Sequence, residues 1–253
     1  MSVVKISAES IRRMKGRVPI AALTVYDYGM VKILEDCEVT LLLVGDSLGM
    51  VVLGLPDTTG VTMEDMIHHT QASARAKPKA LLVSDLPTDS YQTPVDAAKN
   101  AKRLVDAGAE AVKAEGGLAI GEQVRAIISE GIPFLGHLGM LPQNVKEEGG
   151  YKIKGKTLEE RTALREDAAA LADAGAFAVV LELVNPKVAG ELTTSLPIPT
   201  IGIGSGMDCD GQILVTNDLW ATSPDFIPNH VQSNEAIRAE MQNTVQLWKD
   251  SIG

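Results

Sequence analysis

The sequence predicts an α/β protein whose strands close into a (β/α)₈ barrel, also called a TIM barrel. Apolar runs alternate with amphipathic segments along the whole chain, which is typical of a parallel sheet with crossover helices. Eight such runs occur within 253 residues, close to the roughly 250 that one barrel needs. We therefore expect residues 1–253 to form a single barrel domain, with a short N-terminal helix and a C-terminal helical appendage.

In the first half of the chain, each predicted strand is a short apolar run bounded by turn residues. Such a run indicates a strand that is buried on both faces. The predicted strands cover residues 19–27, 40–45, 79–85 and 110–117, and the predicted helices cover residues 8–16, 30–37, 62–76 and 93–109. Thr62 and Asp65 form a capping box, and Thr93 is a cap followed by Pro94, so two of these helix starts are well defined.

The second half repeats the pattern around one long loop. The predicted strands cover residues 131–137, 177–183, 199–206 and 210–218, and the predicted helices cover residues 121–130, 157–176 and 233–249. A second capping box, Thr157 with Glu160, starts the helix that follows the loop of residues 138–156. Loops of this length commonly cover a site, bind a ligand or are disordered.

Composition excludes several classes of partner. The net charge of −10 disfavours nonspecific binding to nucleic acid or to an anionic membrane. No apolar run approaches the roughly 20 residues that span a bilayer, and residues 1–7 have no apolar core of a signal peptide. The two cysteines, Cys37 and Cys209, indicate no disulfide framework. We expect a cytoplasmic protein that acts on small molecules.

Polar residues follow or end most of the predicted strands. In a barrel the carboxyl ends of all strands meet on one face. That face would gather Asp46, Ser47, Asp85, Lys113, Glu115, His137, Glu182 and Ser205. Several acids around one lysine are costly unless a cation compensates them, and Mg²⁺ prefers oxygen ligands. A metal on a carbonyl oxygen also stabilises the enolate that forms when a neighbouring C–H is deprotonated.

Most of these residues also have a structural interpretation. An Asp after a strand is often a helix cap, Lys113 and Glu115 can form a surface ion pair, and His137 can hydrogen-bond within its loop. The adjacent His68 and His69 are interpreted as structural, and the glycines of residues 202–206 are a weak phosphate-loop signal. Glu182, a lone carboxylate in an apolar run, fits the structural interpretation least and indicates a general base.

Eight segments carry a resemblance to a known family. They include Leu-Leu-Val-Gly-Asp-Ser-Leu-Gly-Met at 42–50, Val-Lys-Ala-Glu-Gly-Gly at 112–117 and Gly-His-Leu-Gly-Met-Leu-Pro-Gln at 136–143. The others lie at 61–70, 84–87, 149–156, 201–206 and 210–215. In this order, over about residues 3–220, the chain resembles the ketopantoate hydroxymethyltransferase family, whose members act in pantothenate biosynthesis.

The resemblance implies a (β/α)₈ barrel of the phosphoenolpyruvate/pyruvate-type superfamily. It also implies transfer of a hydroxymethyl group from 5,10-methylenetetrahydrofolate to 3-methyl-2-oxobutanoate, giving 2-dehydropantoate, with Mg²⁺ bound. Glu182 would be the base that forms the enolate. The metal residues would be Asp46, Asp85 and Glu115, and the ketoacid would contact Asp46, Ser47, Asp85, Lys113 and His137. Members of the family form rings, commonly decamers, so a homo-oligomer is expected.

Three segments depart from the family pattern, and two rival interpretations remain. Thr88-Asp89 stands in place of Phe-Met, Asn217-Asp218 in place of His-Asp, and residues 224–229 have lost their basic character. The metal and ketoacid residues are all present, which implies intact proton abstraction. One rival is another metal-dependent C–C lyase or mutase of the isocitrate lyase/phosphoenolpyruvate mutase superfamily, acting on a different 2-oxoacid. The other rival is a non-catalytic metal-binding barrel.

Overall fold

A computed structural model describes residues 5–253, and its eight strands close into one parallel barrel. Every strand pairs in parallel with its neighbours, and the last strand pairs with the first. The strands are β1 Ile20–Thr24, β2 Leu41–Val44, β3 Leu81–Asp85, β4 Ala111–Glu115, β5 Phe134–Gly139, β6 Ala178–Glu182, β7 Thr200–Ile203 and β8 Gly211–Leu214. The predicted (β/α)₈ barrel is confirmed. The expectation about a signal peptide falls partly on residues 1–4, which lie outside the described residues.

Helices follow most of the strands, and their starts agree with the capping signals. The helices are α1 Ala8–Arg12, α2 Tyr28–Glu35, α3 Leu48–Val51, α4 Met63–Ala74, α5 Pro94–Asp106, α6 Gly121–Ser129, α7 Val145–Glu148, α8 Leu158–Ala174, α9 Pro186–Ser195, α10 Thr216–Leu219 and α11 Glu235–Ile252. Both predicted capping boxes form, at the starts of α4 and α8, and Thr93 caps α5. Across residues 5–253, none of these helices combines the length and apolar character needed to cross a membrane.

The structure differs from the predicted elements in three places. The eighth strand was expected to reach Asp218 but ends at Leu214, because Thr216 leaves the sheet to bond with Thr24. The Thr216 N–H donates to Thr24 Oγ1 at 3.0 Å, and Thr216 Oγ1 donates to the Thr24 carbonyl at 2.6 Å. Helix α9 was not predicted, and the long loop after β5 contains the short helix α7.

The inside of the barrel is filled by alternate residues of each strand. Successive strand side chains point to opposite faces, so one parity lines the interior and the other packs under the helices. The interior cluster includes Leu41 and Leu43 of β2, Leu81 and Val83 of β3, Ala111 of β4, Leu135 of β5, and Ala178 and Val180 of β6. In β3 to β6, the next inward-facing position towards the carboxyl end of the strand carries a polar side chain. These polar side chains form the top layer of the interior.

Asp210 joins three chain segments at the opposite, amino-terminal end of the barrel. Its carboxylate accepts hydrogen bonds from Lys15 Nζ at 2.8 Å, the Gly16 amide at 2.9 Å and the Thr200 amide at 2.9 Å. The side chain is only 5% exposed. Burial raises the pKa of Asp210, but the hydrogen bonds from Lys15, Thr200 and Gly16 outweigh burial and leave that pKa below its ordinary value. Asp210 therefore stabilises the closure of β7, β8 and β1.

We expect Asp210→Ala to lower the free energy of unfolding by about 2–4 kcal/mol, because it leaves a lysine and two amides without their acceptor. Because the folded-state pKa is lowered, the contribution of Asp210 is complete above about pH 4 and is lost as the pH falls through the folded-state value. Urea unfolding at pH 7 and at acidic pH measures both effects. Asp208→Ala, at an exposed neighbour, is the control and should change stability by less than about 0.5 kcal/mol. Equal losses in the two variants would contradict the prediction.

Candidate active site

The carboxyl ends of β2 to β6 bring the predicted site residues to one end of the barrel. Asp85 lies beside Lys113 in the register of β3 and β4, and Glu115 lies beside His137 in the register of β4 and β5. Glu182 is the last residue of β6. Asp46 follows β2 in a turn, and its amide donates to Asp85 Oδ2 at 3.1 Å. These side chains are the top layer of the interior, where five strands converge.

Lys113 lies among buried carboxylates. Its Nζ is 2.9 Å from Asp85 Oδ1, with the two side chains 5% and 2% exposed. Burial alone would lower the pKa of Lys113, but the carboxylates of Asp85, Asp46 and Glu115 raise it above its ordinary value. The lysine is therefore held as a cation. Its ion pair with Asp85 is close but poorly aligned, since Asp85 Oδ1 accepts no hydrogen bond of good geometry among the described residues.

His137 bridges two acids of the site. Its Nδ1 is 3.4 Å from Glu115 Oε1, and its Nε2 is 3.3 Å from Glu182 Oε2. Lys113 Nζ approaches the same Nδ1 at 3.3 Å. Burial and the charge of Lys113 lower the pKa of His137. Contacts with Glu115 and Glu182 raise it by a larger amount, so the pKa lies above its ordinary value, at about 9. The imidazole therefore lies between Glu182, at the rim, and Glu115, deeper in the site, without an aligned hydrogen bond to either carboxylate among the described residues.

The site carries more buried negative than positive charge. Counted as ionised, its four carboxylates outnumber Lys113 and His137 by two charges. Burial, followed by the charges of Asp85 and Glu115, raises the pKa of Asp46 to about 8. Within residues 5–253, Asp85 Oδ1 and Glu115 Oε1 are buried without an aligned hydrogen-bond donor. Oxygen ligands with unused lone pairs, and an acid whose ionisation is opposed by neighbouring carboxylates, fit a hard divalent cation that would offset their negative charge.

The carboxylates do not converge as a finished metal site. In the described part of the chain, no group of three or more His, Cys, Asp or Glu side chains is arranged to hold a metal ion. Lys113 and Gln143 approach the relevant oxygens instead, at 2.9 Å from Asp85 Oδ1 and at 2.7 Å from Asp46 Oδ2. The assignment of Asp46, Asp85 and Glu115 as metal ligands therefore stays a prediction.

Gln143 is the residue that sequence reasoning missed. Its side-chain amide donates to Asp46 Oδ2 at 2.7 Å and to the Leu86 carbonyl at 3.0 Å. Its backbone amide donates to Glu115 Oε2 at 3.0 Å, and its side-chain carbonyl accepts from Tyr91 Oη at 2.6 Å. One neutral residue thus contacts two of the three predicted metal ligands. The sequence feature that could have identified Gln143 is its position at the end of segment 136–143, which carries part of the family resemblance.

The loop that carries Gln143 is attached at both ends to the chain around Glu182. At its start, the Met140 amide donates to the Glu182 carbonyl at 2.8 Å. At its end, the Lys154 amide donates to the Leu183 carbonyl and the Asn185 amide donates to the Lys154 carbonyl, both at 2.8 Å. Residues 140–154 therefore form an arch that is fixed to the end of β6.

Other singled-out residues have structural roles. Ser205 donates to the Leu181 carbonyl at 2.7 Å and accepts from the Val184 amide at 2.9 Å, so its hydroxyl is used by the backbone. His69 Nδ1 bonds the Tyr26 carbonyl at 2.7 Å. A Cβ on Gly204 would lie 2.6 Å from Leu183, which explains this glycine by packing. Ser47, in contrast, lies at the site, where its hydroxyl contacts Tyr26 Oη at 2.9 Å.

Comparison with known proteins decides the family. The sequence model of ketopantoate hydroxymethyltransferase matches residues 5–253. This chain belongs to the ketopantoate hydroxymethyltransferase family. A 3-methyl-2-oxobutanoate hydroxymethyltransferase of Pyrobaculum islandicum is 53% identical over 228 residues, covering 88% of this chain and 87% of the relative. Relatives of the same name from Acetivibrio thermocellus and Caldivirga maquilingensis are 50% and 47% identical, over 92% and 98% of this chain and 83% and 95% of their own. The resemblance seen in the sequence is confirmed, and the family is one of enzymes.

Solved structures support the fold assigned to this ketopantoate hydroxymethyltransferase family member. A putative phosphonomutase from Burkholderia cenocepacia aligns with a TM-score of 0.67 at 15% identity, covering 96% of this chain and 98% of its own. A 2,3-dimethylmalate lyase of the PEP mutase/isocitrate lyase superfamily aligns with a TM-score of 0.63 at 17% identity, over 96% and 88% of the two chains. At such low identity the likeness concerns the barrel architecture alone.

Two of the three departures from the family pattern lie just after the ends of β3 and β8. Asp89 has a φ of +64° and accepts a hydrogen bond from Gln92 Nε2 at 2.8 Å. Asn217 Nδ2 donates to Thr222 Oγ1 at 3.3 Å, and Asp218 Oδ1 accepts from the Ser223 hydroxyl. Burial raises the pKa of Asp218 above its ordinary value. These residues bond within their own turns and do not contact the cluster around Lys113.

Proposed function

We propose that this chain transfers a hydroxymethyl group from 5,10-methylenetetrahydrofolate to 3-methyl-2-oxobutanoate, giving 2-dehydropantoate. Family membership supports the reaction class. The observation that carries the proposal is the cluster at the end of the barrel, where Lys113 and His137 lie between the carboxylates of Asp85, Glu115 and Glu182. Such a cluster combines a cation, a bridging imidazole and a rim carboxylate around one small volume, as deprotonation next to a carbonyl requires.

Asp46, Asp85 and Glu115 would hold a divalent cation, for which Mg²⁺ is the first choice. When bound, the cation would polarise the ketone oxygen and favour enolate formation. The proposal is supported by the orphaned oxygens of Asp85 and Glu115 and by the raised pKa of Asp46. Lys113, Ser47 and His137 would orient the ketoacid through its carboxylate and ketone oxygens, since each can donate a hydrogen bond.

Glu182 would remove the proton from C3 of the ketoacid. Its side chain is 16% exposed at the rim, whereas that of Glu115 is 2% exposed, so Glu182 is the acid of this pair that substrate can reach. The electron pair left on C3 would then form a bond to the methylene carbon of the donor as a C–N bond of the donor breaks. Water would then replace the second C–N bond of the methylene carbon, which supplies the product hydroxyl and releases tetrahydrofolate, whose two nitrogens take up one proton from water and the proton removed from C3.

We expect purified protein to form 2-dehydropantoate from the two substrates when Mg²⁺ is present and to lose this activity when EDTA is added. Loss of a cation that neutralises developing enolate charge should reduce turnover by at least about 10³-fold. Product is measured by mass spectrometry, and excess Mg²⁺ added after the chelator should restore it. Unchanged turnover in EDTA would contradict the metal assignment.

The same assay separates the proposed reaction from its rival. Metal-dependent exchange of the C3 hydrogen with solvent deuterium, without any hydroxymethyl product, would indicate a different acceptor chemistry or donor. If folded protein loaded with Mg²⁺ shows neither exchange nor product formation, the non-catalytic barrel would be favoured. We further propose that residues 1–253 act as one barrel domain in the cytoplasm. Cys37 and Cys209 are both free, which agrees with a reducing compartment.

A further inference from the structure

The side chain of Gln143 has a fixed orientation in the site. Its N–H groups donate to Asp46 Oδ2 at 2.7 Å and to the Leu86 carbonyl at 3.0 Å, and its carbonyl accepts from Tyr91 Oη at 2.6 Å. Turning the amide over would place its oxygen against two acceptors. Gln143 is only 8% exposed, so bulk water would not replace a lost partner. Gln143 therefore faces Asp46 only as a donor.

Gln143 occupies one oxygen on each of two acids. Its side chain uses Asp46 Oδ2, and its backbone amide donates to Glu115 Oε2 at 3.0 Å. Among residues 5–253, Glu115 Oε1 is buried without an aligned donor, and the Asp46 carboxylate accepts no hydrogen bond besides the one from Gln143. One oxygen of each acid thus stays available. Turning either carboxylate to present both oxygens to one ligand would break a hydrogen bond to Gln143.

Asp85 is held in the same way by a different donor. Its Oδ2 accepts from the Asp46 amide at 3.1 Å, and its Oδ1 faces Lys113 Nζ at 2.9 Å. Each of the three acids proposed as metal ligands therefore has one oxygen that is bonded to an amide N–H and one that is not. Two of these three amide bonds come from Gln143. The one made by its side chain is the only one of the three that a substitution can remove.

The number of oxygens that an acid offers affects which divalent cation it suits. Ca²⁺ takes about six to eight oxygen ligands, and a carboxylate can bind it through both oxygens. Mg²⁺ is smaller, requires nearly octahedral geometry, and is usually held by one or two carboxylates while it keeps water or substrate oxygens. Acids that each offer one oxygen therefore supply enough ligands for Mg²⁺ but too few for Ca²⁺.

We propose that Gln143 is a positioning residue that makes the site selective for Mg²⁺ over Ca²⁺, because its amide prevents Asp46 from binding a cation through both oxygens. The inference rests on the proposed function, in which Asp46, Asp85 and Glu115 hold the cation. Tyr91 acts through Gln143, since its hydroxyl holds the carbonyl end of the amide away from Asp46. Groups that orient metal ligands in this way commonly contribute 10–100-fold, as an order of magnitude, to metal affinity.

Metal binding to the full-length protein tests the inference. Isothermal titration calorimetry gives the dissociation constant of Mg²⁺, and competition against Mg²⁺ gives that of Ca²⁺. Gln143→Met keeps the length of the side chain but has no donor, so we expect it to bind Mg²⁺ about 10–100-fold more weakly and Ca²⁺ less than about threefold more weakly. The preference for Mg²⁺ should thus fall at least about threefold. A smaller fall would overturn the proposal.

Failure of the wild type to bind Mg²⁺, with or without 3-methyl-2-oxobutanoate, would instead contradict the metal assignment of the proposed function, and the role of Gln143 would be overturned with it. Gln123→Met is the matched control. The Gln123 side chain also donates to a carbonyl, that of Gln92 at 3.2 Å, but it lies on α6 outside the site. This variant should keep both dissociation constants of the wild type.

A double-mutant cycle separates positioning from a general loss of structure. Tyr91→Phe removes one hydroxyl and should weaken Mg²⁺ binding and lower the preference for Mg²⁺ in the otherwise wild-type chain, but should have no further effect in Gln143→Met. Equal effects in both backgrounds would show that Tyr91 does not act through Gln143. Circular dichroism checks that each variant is folded. If Gln143→Met does not fold, an unchanged preference for Mg²⁺ in Tyr91→Phe would overturn the proposal.

Discussion

Replacing Glu182 with glutamine should lower the rate of C3 hydrogen exchange of 3-methyl-2-oxobutanoate by about 10²–10⁴-fold, the contribution expected of a general base. Glutamine has nearly the same shape and keeps an oxygen that can face His137 Nε2, which lies 3.3 Å from Glu182 Oε2. It cannot accept the proton from C3 at neutral pH. The loss should therefore appear in proton abstraction itself and not only in hydroxymethyl transfer.

The exchange rate is measured by proton NMR in deuterated buffer, with Mg²⁺ and without the folate donor. Glu166→Gln, on the exposed side of α8, is a matched control and should exchange at the wild-type rate. Binding of Mg²⁺ should be kept in Glu182→Gln, because the proposed ligands are Asp46, Asp85 and Glu115. Exchange within twofold of the wild type in Glu182→Gln would remove Glu182 from the role of base.

Replacing Lys113 with methionine should have the largest effect on stability and should also lower activity. The change removes the cation 2.9 Å from Asp85 Oδ1 and leaves the buried carboxylates of Asp46, Asp85 and Glu115 facing one another. Breaking a buried ion pair from one side costs about 3–5 kcal/mol of unfolding free energy. Turnover should fall by at least about 10²–10³-fold, the usual effect of removing one charge-stabilising donor.

Urea unfolding and the 2-dehydropantoate assay measure the two effects. Lys102→Met is the control, because Lys102 pairs with Glu130 at 2.7 Å while the two side chains are 52% and 39% exposed. An exposed pair contributes less than about 1 kcal/mol, so this variant should stay near the wild type. Mg²⁺ should stabilise Lys113→Met more than it stabilises the wild type, since a divalent cation can replace the missing charge. A loss below about 1 kcal/mol with turnover preserved would show that Lys113 does not organise the site.

The fold was predictable where local sequence signals, such as apolar runs and helix caps, agree with the burial of the element in the structure. β2 is an unbroken apolar run, and α5 begins and ends close to its signals, Thr93-Pro94 at the start and Gly108 after the end. The end of β8 was not predictable, because it depends on hydrogen bonds between Thr216 and Thr24, which are 192 positions apart. Helix α9 was missed although Asn185 and Pro186 mark its start, since Thr193, Thr194 and Ser195 are weak helix formers.

The site was predictable where the alternation of side chains along a strand determines which residues share a face. Lys113 and Glu115 are two residues apart in one strand, so they share a face wherever the strand lies, and the structure buries both inside the barrel. Gln143 could not be found in this way. It is a neutral residue in a loop, and its position depends on contacts with Asp46 and Glu115, which are 97 and 28 positions away.

The arch of residues 140–154 has a mechanical consequence for the proposed reaction. Both of its feet are hydrogen-bonded to residues 182–185, so the arch and the carboxylate of Glu182 share one support. A folate molecule that bound against the arch and displaced it would also displace the carbonyl of Glu182. Binding of the one-carbon donor and the orientation of the proton acceptor would then be coupled through the three backbone hydrogen bonds between the arch and residues 182–185.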